Sequence, residues 1–141
     1  DLHSFPTRRS SDLNGDTFFD VDLDDFYNKH CFATAAISLT LKKMKEFERY
    51  GQVLVDSVDH RVRTFCEKRY CDEGFINGGV YYINRSRVQW PDETKFSFET
   101  AVLESGVKQG NLYAFDFGGY FIDIGIPLDY DKANEDFKTL F

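Results

Sequence analysis

Two aspartates in apolar surroundings are the residues of this sequence best suited to chemistry. Asp16 lies in the segment NGDT ahead of an aromatic and acidic run, and Asp123 lies in YFIDIG. An apolar lead-in followed by Gly and Asp is typical of the carboxyl end of a buried strand, the edge of an α/β sheet where ligands bind. A carboxylate there can ligate a hard divalent cation, which in turn holds phosphate oxygens. We therefore expect Asp16 and Asp123 to share one Mg²⁺.

Asp123 needs a partner because its neighbours Phe121, Ile122 and Ile124 are apolar. An unpaired charge is costly to bury in such a strand. A bound cation would satisfy the carboxylate, and so would a helix N-terminus or a basic side chain. The sequence leaves these alternatives open.

Polar or small residues interrupt strand-like segments at three further places. Glu67 and Lys68 end a predicted strand, where such a pair is most simply a solvated surface pair. Asn77 and Gly78 open a double-glycine stretch, and glycines inside a strand mark either a bulge or the close approach of a ligand or backbone. Gly51 either starts a strand or lets the backbone approach a ligand that a side chain would obstruct.

Alternating apolar residues and turn signals predict the elements that position these groups. Strands are expected over 33–42, 52–56, 61–67, 75–83, 112–117 and 120–124, and helices after residue 20, over 98–104 and over 127–140. The first strand is expected to be half-buried and to lead into a polar connection over 42–51, while 52–56 and 61–67 form a hairpin. Ser97 is the expected N-cap of the second helix, which Gly106 is expected to stop.

The acidic run after residue 20 suits the first turn of a short helix, where carboxylates face the positive end of the helix dipole. A calcium-binding loop starting at Asp20 is excluded. Its sixth position is Asp25 instead of Gly, and its twelfth is Cys31 instead of Glu.

The length of the chain corresponds to one domain or part of one. The chain has 141 residues and a net charge of −7, which argues against nucleic acid or an anionic membrane surface as the main partner. No run approaches the roughly 18 apolar residues of a transmembrane helix. Cys31, Cys66 and Cys71 show no metal-site spacing, so we predict reduced thiols in a cytoplasmic protein. The oligomeric state stays open, a homo-oligomer included.

Five segments in order resemble the sugar-phosphate nucleotidyltransferase family. They are NGDTFFD over 14–20, FERYG over 47–51, FCEK over 65–68, INGGVY over 76–81 and FIDIGIP over 121–127. The branch they resemble most comprises the guanylyltransferases that act on D-glycero-D-manno-heptose 1-phosphate and mannose 1-phosphate. The family often has Pro after the Lys of FCEK, whereas Arg69 stands here.

The resemblance implies a Rossmann-like, three-layer α/β domain with a mixed sheet and specific roles for the residues above. Asp16 and Asp123 would hold Mg²⁺, and Lys68 would orient the sugar 1-phosphate. These three would be the catalytic residues. Glu67, Asn77, Gly51 and Gly78 would recognise the sugar.

The reaction that the family resemblance implies joins a sugar 1-phosphate to a nucleoside triphosphate and releases pyrophosphate. The branch resemblance implies GTP as donor and D-glycero-D-manno-heptose 1-phosphate as acceptor, with mannose 1-phosphate as the alternative acceptor. Two alternatives come from other classes: a non-catalytic module that binds sugar phosphate, and a partner subunit whose nucleotide half is a separate polypeptide.

Residues 1–13 differ from the rest of the chain. They lack apolar periodicity, and the stretch from residue 2 to residue 13 resembles the translation of a short-read sequencing adapter. We therefore expect 1–13 to be non-native and 14–141 to be the C-terminal part of a nucleotidyltransferase domain whose N-terminal half is missing. Nothing in the sequence matches the family's Gly-rich triphosphate loop, so the chain as given is expected to be catalytically silent.

Overall fold

The structure is a computed structural model that describes residues 9–13, 17–90, 97–123 and 127–140. The strands in these residues are β1 (Arg9–Leu13), β2 (Thr17–Phe19), β3 (Ile37–Phe47), β4 (Gly51–Val55), β5 (Val62–Lys68), β6 (Cys71–Asn84), β7 (Leu112–Asp116) and β8 (Phe121–Asp123). The α-helices are α1 (Leu23–Phe32), α2 (Glu104–Gln109) and α3 (Pro127–Leu140). A 3₁₀ turn covers Arg85–Arg87, and a π-helical turn covers Glu99–Leu103.

The long strand β6 organises the main sheet. Along one edge it pairs with β3 throughout, and along the other it pairs with β1 near its end and with β4 near its middle. The order is β5-β4-β6-β3-β7, with β1 also on β6. The β3–β7 pair is parallel and the other pairs are antiparallel. This confirms the predicted mixed sheet and the hairpin over 52–56 and 61–67.

Both faces of this sheet are covered, which gives three layers. On one face, Tyr81 and Ile83 of β6 pack with Val102 and Leu103 from the segment before α2. On the other, Tyr82 packs with Phe26 of α1. Successive strand residues point to opposite faces of the sheet, so residues 80–83 of β6 contribute side chains to the packing on both faces. The three-layer α/β prediction is confirmed.

The half-buried strand predicted over 33–42 is wrong in extent and in burial. The strand runs as Ile37–Phe47, and residues 35–41 are all buried. Ser38 and Thr40 gave the sequence its alternation of polar and apolar residues, but both are buried and hydrogen-bonded. Ser38 Oγ lies 2.6 Å from His30 Nδ1 of α1, and Thr40 donates to the Val80 carbonyl at 3.4 Å. A buried polar group that is hydrogen-bonded is tolerated. Because β3 extends to Phe47 and β4 begins at Gly51, the polar connection predicted over 42–51 is mostly strand.

The helix predicted over 98–104 continues further than expected. A π-helical turn leads into α2, which ends at Gly110 in the left-handed conformation, with φ 71°. Gly106 does not stop the helix. A β-carbon there would lie 3.2 Å from Leu112 Cβ, so this glycine permits close packing of α2 on β7.

Helix α1 begins as predicted, with acidic residues in its first turn. Asp22 is the N-cap, and its carboxylate accepts the Asp25 N–H at 3.1 Å. This satisfies one of the backbone donors that every helix start leaves unpaired. The helix over 127–140 is also confirmed, and no helix among the described residues is long and apolar enough to cross a membrane.

Strands β2 and β8 form a separate two-stranded antiparallel sheet. Thr17 pairs with Asp123, and Phe19 pairs with Phe121. The Phe19 and Phe121 rings meet edge to face with centroids 5.6 Å apart. This small sheet carries Asp123.

Strand β1 lies within the segment that was expected to stand outside the fold. Residues Arg9–Leu13 pair with β6 from Asn84 to Val80. Ladder hydrogen bonds use backbone groups that nearly every residue carries, so a strand pairing does not test whether a segment is native. The adapter interpretation of residues 1–13 stays a prediction.

Candidate active site

A cleft of about 450 Å³ brings together five of the residues predicted from the sequence. Gly51 lies at the start of β4, Glu67 and Lys68 at the end of β5, Asn77 in β6, and Asp123 at the end of β8. Residues from distant parts of the chain therefore share one site. What each does there stays a prediction.

The floor of the cleft is apolar and its rim is charged. Val53, Ile76 and Leu103 are buried and lie along the floor. The exposed cations Arg49 and Lys68 and the exposed carboxylates Glu67 and Glu104 also line the cleft. An apolar floor lowers the local dielectric constant and strengthens electrostatic contacts made above it. The arrangement suits a ligand that has both an anionic group and hydroxyl groups.

The predicted metal pair is only half described. Asp16 lies outside the described residues, while Thr17, the residue after it, pairs with Asp123 and also lines the cleft. The described part of the chain contains no cluster of three His, Cys, Asp or Glu side chains suited to a metal ion. The donor that is described does fit Mg²⁺, which prefers hard oxygen ligands and is often held by one or two carboxylates together with substrate phosphates.

Asp123 has a partner that was not expected from the sequence. The Tyr50 hydroxyl donates a hydrogen bond to Asp123 Oδ2 at 3.1 Å. The alternatives left open were a cation, a helix N-terminus or a basic side chain. Tyr50 lies 73 positions from Asp123 in the chain, and nothing in the sequence indicates that the two side chains pair.

Gly51 is required by the neighbouring strand. A β-carbon at position 51 would lie 2.3 Å from the Cys66 carbonyl oxygen. Gly51 also pairs with Lys68, so β4 and β5 are in contact where both line the cleft. Of the two alternatives, a strand start is therefore confirmed, and the proximity to a sugar stays a prediction.

Asn77 sits at a break in the sheet. On one edge of β6 the partner strand changes: Val80 pairs with Leu13 of β1, whereas Ile76 pairs with Gln52 of β4. On the other edge the register shifts between Leu39 and Leu41. The bulge left open in the sequence analysis is therefore present.

The Asn77 side chain stabilises this bulge. Its Oδ1 accepts the Gly79 N–H at 2.8 Å, and its Nδ2 donates to the Tyr81 hydroxyl at 2.7 Å. Gly79 has φ 83°, a conformation that glycine adopts without strain. Asn77 thus has a structural task in addition to lining the cleft.

Gly78 is not among the residues that line the cleft. It is buried, and a β-carbon there would lie 2.5 Å from Thr40 Oγ1 and 2.6 Å from Phe19 Cδ2. The structure therefore accounts for this glycine by the packing of Phe19 across β6. Its predicted role in leaving room for a sugar stays a prediction.

Arg49, Tyr50 and Glu104 are among the cleft residues to which the sequence analysis assigned no role. Arg49 and Tyr50 belong to the segment FERYG, so their position beside Gly51 was a usable signal. Glu104 starts α2, and only the fold places it opposite β5.

The comparisons with known proteins agree with this geometry. The family model described as nucleotidyl transferase matches residues 8–139. A D-glycero-alpha-D-manno-heptose 1-phosphate guanylyltransferase from Aneurinibacillus thermoaerophilus is 47% identical over 127 residues, which cover 89% of this chain and 54% of that protein. The protein of the same name from Campylobacter jejuni is 44% identical over 119 residues, covering 84% and 51%.

Solved structures and more distant relatives extend the comparison. Crystal structures of HddC from Yersinia pseudotuberculosis, one of them complexed with GMP-PN, match with TM-scores of 0.81 and 0.80 and identities of 31% and 32%. They cover 96% and 94% of this chain, and this chain spans 58% and 56% of theirs. A probable mannose-1-phosphate guanylyltransferase from Arabidopsis thaliana is 30% identical over 119 residues, covering 84% of this chain and 33% of its own. The chain spans about half the length of the first two curated relatives.

Proposed function

The chain belongs to the nucleotidyl transferase family, and on this premise we propose that it provides the sugar-phosphate site of a guanylyltransferase. The proposed reaction transfers GMP from GTP to a sugar 1-phosphate of the D-glycero-D-manno-heptose type and releases pyrophosphate. One observation carries the proposal: the cleft joins Lys68, Glu67, Asn77 and Asp123 from three separate strands.

The anionic end of the acceptor is proposed to lie against Lys68. A lysine ammonium is a compact positive charge that binds phosphate without fixing its orientation bidentately. Arg49 adds a second cation to the same lining and can pair with phosphate oxygens through two N–H groups. Together they offset the charge of the sugar phosphate.

The hydroxyl groups of the acceptor are proposed to donate to Glu67. An ionised carboxylate can only accept hydrogen bonds, and the hydrogen bonds that it accepts are strong. Glu104 offers a second carboxylate from α2, while Val53 and Ile76 contact the apolar face of the ring. Asn77 and Gly51 lie in the same cleft lining and are proposed to contact the sugar there.

In the proposed reaction an oxygen of the sugar 1-phosphate attacks the α-phosphorus of GTP in line. The bond between the α-phosphorus and the bridging oxygen to the β-phosphate breaks, and pyrophosphate leaves with that electron pair. Lys68 and Arg49 hold the attacking phosphate in place and reduce its charge repulsion with the triphosphate, since phosphoryl and nucleotidyl transfer rely on positioning and charge stabilisation. Mg²⁺, held by Asp16 and Asp123, would neutralise phosphate charge when bound.

The choice of GTP and heptose is supported by the names of the most similar relatives and by the GMP-PN complex of one structural neighbour. Mannose 1-phosphate is the alternative acceptor, supported by relatives at 30% identity. Titration calorimetry of the chain with each sugar phosphate decides between them. We expect heptose 1-phosphate to bind more tightly, and a preference for mannose 1-phosphate would reverse the assignment.

The acceptor site itself is tested by Lys68→Ala. Loss of a charge-assisted contact is expected to weaken sugar-phosphate binding by about tenfold or more. Lys108→Ala is the matched control, because Lys108 is an exposed lysine of α2 outside the cleft lining. Equal affinities for the two variants would contradict the proposed site.

A non-catalytic sugar-phosphate-binding module is the second candidate, since Gly51, Glu67, Lys68 and Asn77 of the cleft are all assigned to the acceptor. Binding of the sugar phosphate that is unaffected by GTP and Mg²⁺ would favour this candidate. We also propose a cytoplasmic location, which is supported by the absence of a disulfide among the described cysteines Cys31, Cys66 and Cys71.

A further inference from the structure

We propose that Tyr50 is a positioning residue that sets the orientation of the Asp123 carboxylate for divalent-cation binding. The inference rests on the proposed function, because it assigns Asp123 to the cation. It adds a residue to which the family resemblance and the comparisons give no role.

Two contacts fix Tyr50 on strand β8. Its hydroxyl donates to Asp123 Oδ2 at 3.1 Å. Its ring meets the Phe121 ring edge to face, with centroids 6.3 Å apart and planes at 78°. Phe121 and Asp123 are two residues apart on one strand, so their side chains lie on the same face of β8. The tyrosine therefore spans both, with its ring on one and its hydroxyl on the other.

The backbone that carries Tyr50 is also fixed. The next residue, Gly51, lies directly against the Cys66 carbonyl and pairs with Lys68. Tyr50 is half-buried and, like Asp123, lines the cleft. The Tyr50 side chain is thus held by its backbone and by its ring. It can fix the orientation of the Asp123 carboxylate more firmly than a flexible side chain could.

A neutral donor suits this task. An arginine or lysine at the same place would bring a positive charge next to the cation, whereas a phenolic hydroxyl donates a hydrogen bond without adding a charge. Mg²⁺ demands near-ideal octahedral geometry, so the orientation of each carboxylate affects affinity. Hydrogen-bond partners of metal ligands commonly change metal affinity about 10- to 100-fold when they are removed.

The test is Mn²⁺ binding to the 141-residue chain, measured by electron paramagnetic resonance in the presence of mannose 1-phosphate. Tyr50→Phe keeps the ring and removes the hydroxyl, and it is expected to weaken Mn²⁺ binding by about tenfold. Tyr70→Phe is the matched control, since Tyr70 is exposed, lies outside the cleft lining and donates to another carboxylate, that of Asp72. We expect it to bind Mn²⁺ like the unmodified chain.

Asp123→Asn separates failure of the inference from failure of the proposed function. If Asp123→Asn abolishes Mn²⁺ binding and Tyr50→Phe leaves it unchanged, the positioning role is overturned and the cation site stands. If Asp123→Asn has no effect, or the unmodified chain binds no Mn²⁺, the cation site and the positioning role both fail.

A direct contact between Tyr50 and the sugar phosphate is the competing explanation. Calorimetry with mannose 1-phosphate in the presence of EDTA distinguishes it. A positioning residue leaves this metal-free affinity unchanged in Tyr50→Phe. A loss as large as the loss of Mn²⁺ affinity would overturn the inference, because the hydroxyl would then be binding substrate.

Discussion

The backbone of Gly51 lies so close to Cys66 that a β-carbon at position 51 would stand 2.3 Å from the Cys66 carbonyl oxygen. This contact joins β4 to β5 where Gly51 faces Lys68. Lys68 is proposed to bind the phosphate, and Tyr50, the residue before Gly51, is proposed to orient Asp123. The positions of both therefore depend on this contact between the Gly51 and Cys66 backbones.

Gly51→Ala is expected to destabilise the chain. The added methyl group must displace the β5 backbone, and overpacking of this kind costs about 1–3 kcal/mol in unfolding free energy. The measurement is urea denaturation followed by circular dichroism. Gly118→Ala is the control, because a β-carbon at Gly118 would meet nothing within 4 Å. Equal midpoints for the two variants would contradict the close approach.

Asn77→Ala is expected to affect both stability and binding. It removes the acceptor of the Gly79 N–H and the donor to the Tyr81 hydroxyl, which belongs to a buried side chain. Leaving the buried Gly79 N–H without this acceptor costs about 1–3 kcal/mol. The same variant is expected to weaken sugar-phosphate binding, since Asn77 lines the cleft.

Denaturation and calorimetry together check this prediction. Asn28→Ala, at an exposed position of α1, is the control and should neither lower the stability nor weaken the binding, since Ala favours a helix more than Asn does. Unchanged stability of Asn77→Ala would mean that the bulge does not depend on its side chain. Unchanged affinity would remove Asn77 from the proposed sugar contacts.

The overall architecture was predictable because local signals agreed with it. Turn residues between two apolar runs predicted the β4–β5 hairpin, and the acidic first turn predicted α1. Asp123 was identified from its apolar surroundings, Glu67 and Lys68 were assigned roles through family segments, and the fold brings the three into one cleft.

The parts that could not be predicted depend on contacts between distant residues. Ser38 and Thr40 imitate the polar face of a half-exposed strand, and only the position of His30 shows that Ser38 is buried with a partner. Gly106 has the residue type of a helix stop, but β7 packs against it. Tyr50 contacts β8 through the side chains of Phe121 and Asp123, which are far from it in the chain.

The turn between β4 and β5 gives a pH-dependent prediction. The Val58 N–H, the Arg63 guanidinium and the Asp59 N–H lower the pKa of the Asp56 carboxyl from its ordinary 3.8 to about 2. A lowered pKa in the folded state means that Asp56 stabilises the fold fully above pH of about 4. This contribution is lost as the pH falls from there through 2.

Asp56→Asn should therefore melt at a lower temperature than the unmodified chain at pH 7, and the difference should disappear as the pH approaches 2. Thermal melts across this range measure it. A difference for Asp56→Asn that persists unchanged at pH 2 would mean that its ionised form is not what stabilises the turn.

The last prediction concerns turnover by the chain as given. No Gly-rich phosphate loop stands among its 141 residues, and the backbone N–H groups of such a loop are what cradle a triphosphate. We expect no Mg²⁺-dependent pyrophosphate release from GTP and mannose 1-phosphate or heptose 1-phosphate, even where calorimetry detects binding of the sugar phosphate. A coupled pyrophosphate assay measures this, with Lys68→Ala as the background control. Release that Lys68→Ala abolishes would contradict the expected silence, and it would mean that the cleft residues and their neighbours in this chain bind and activate GTP without that loop.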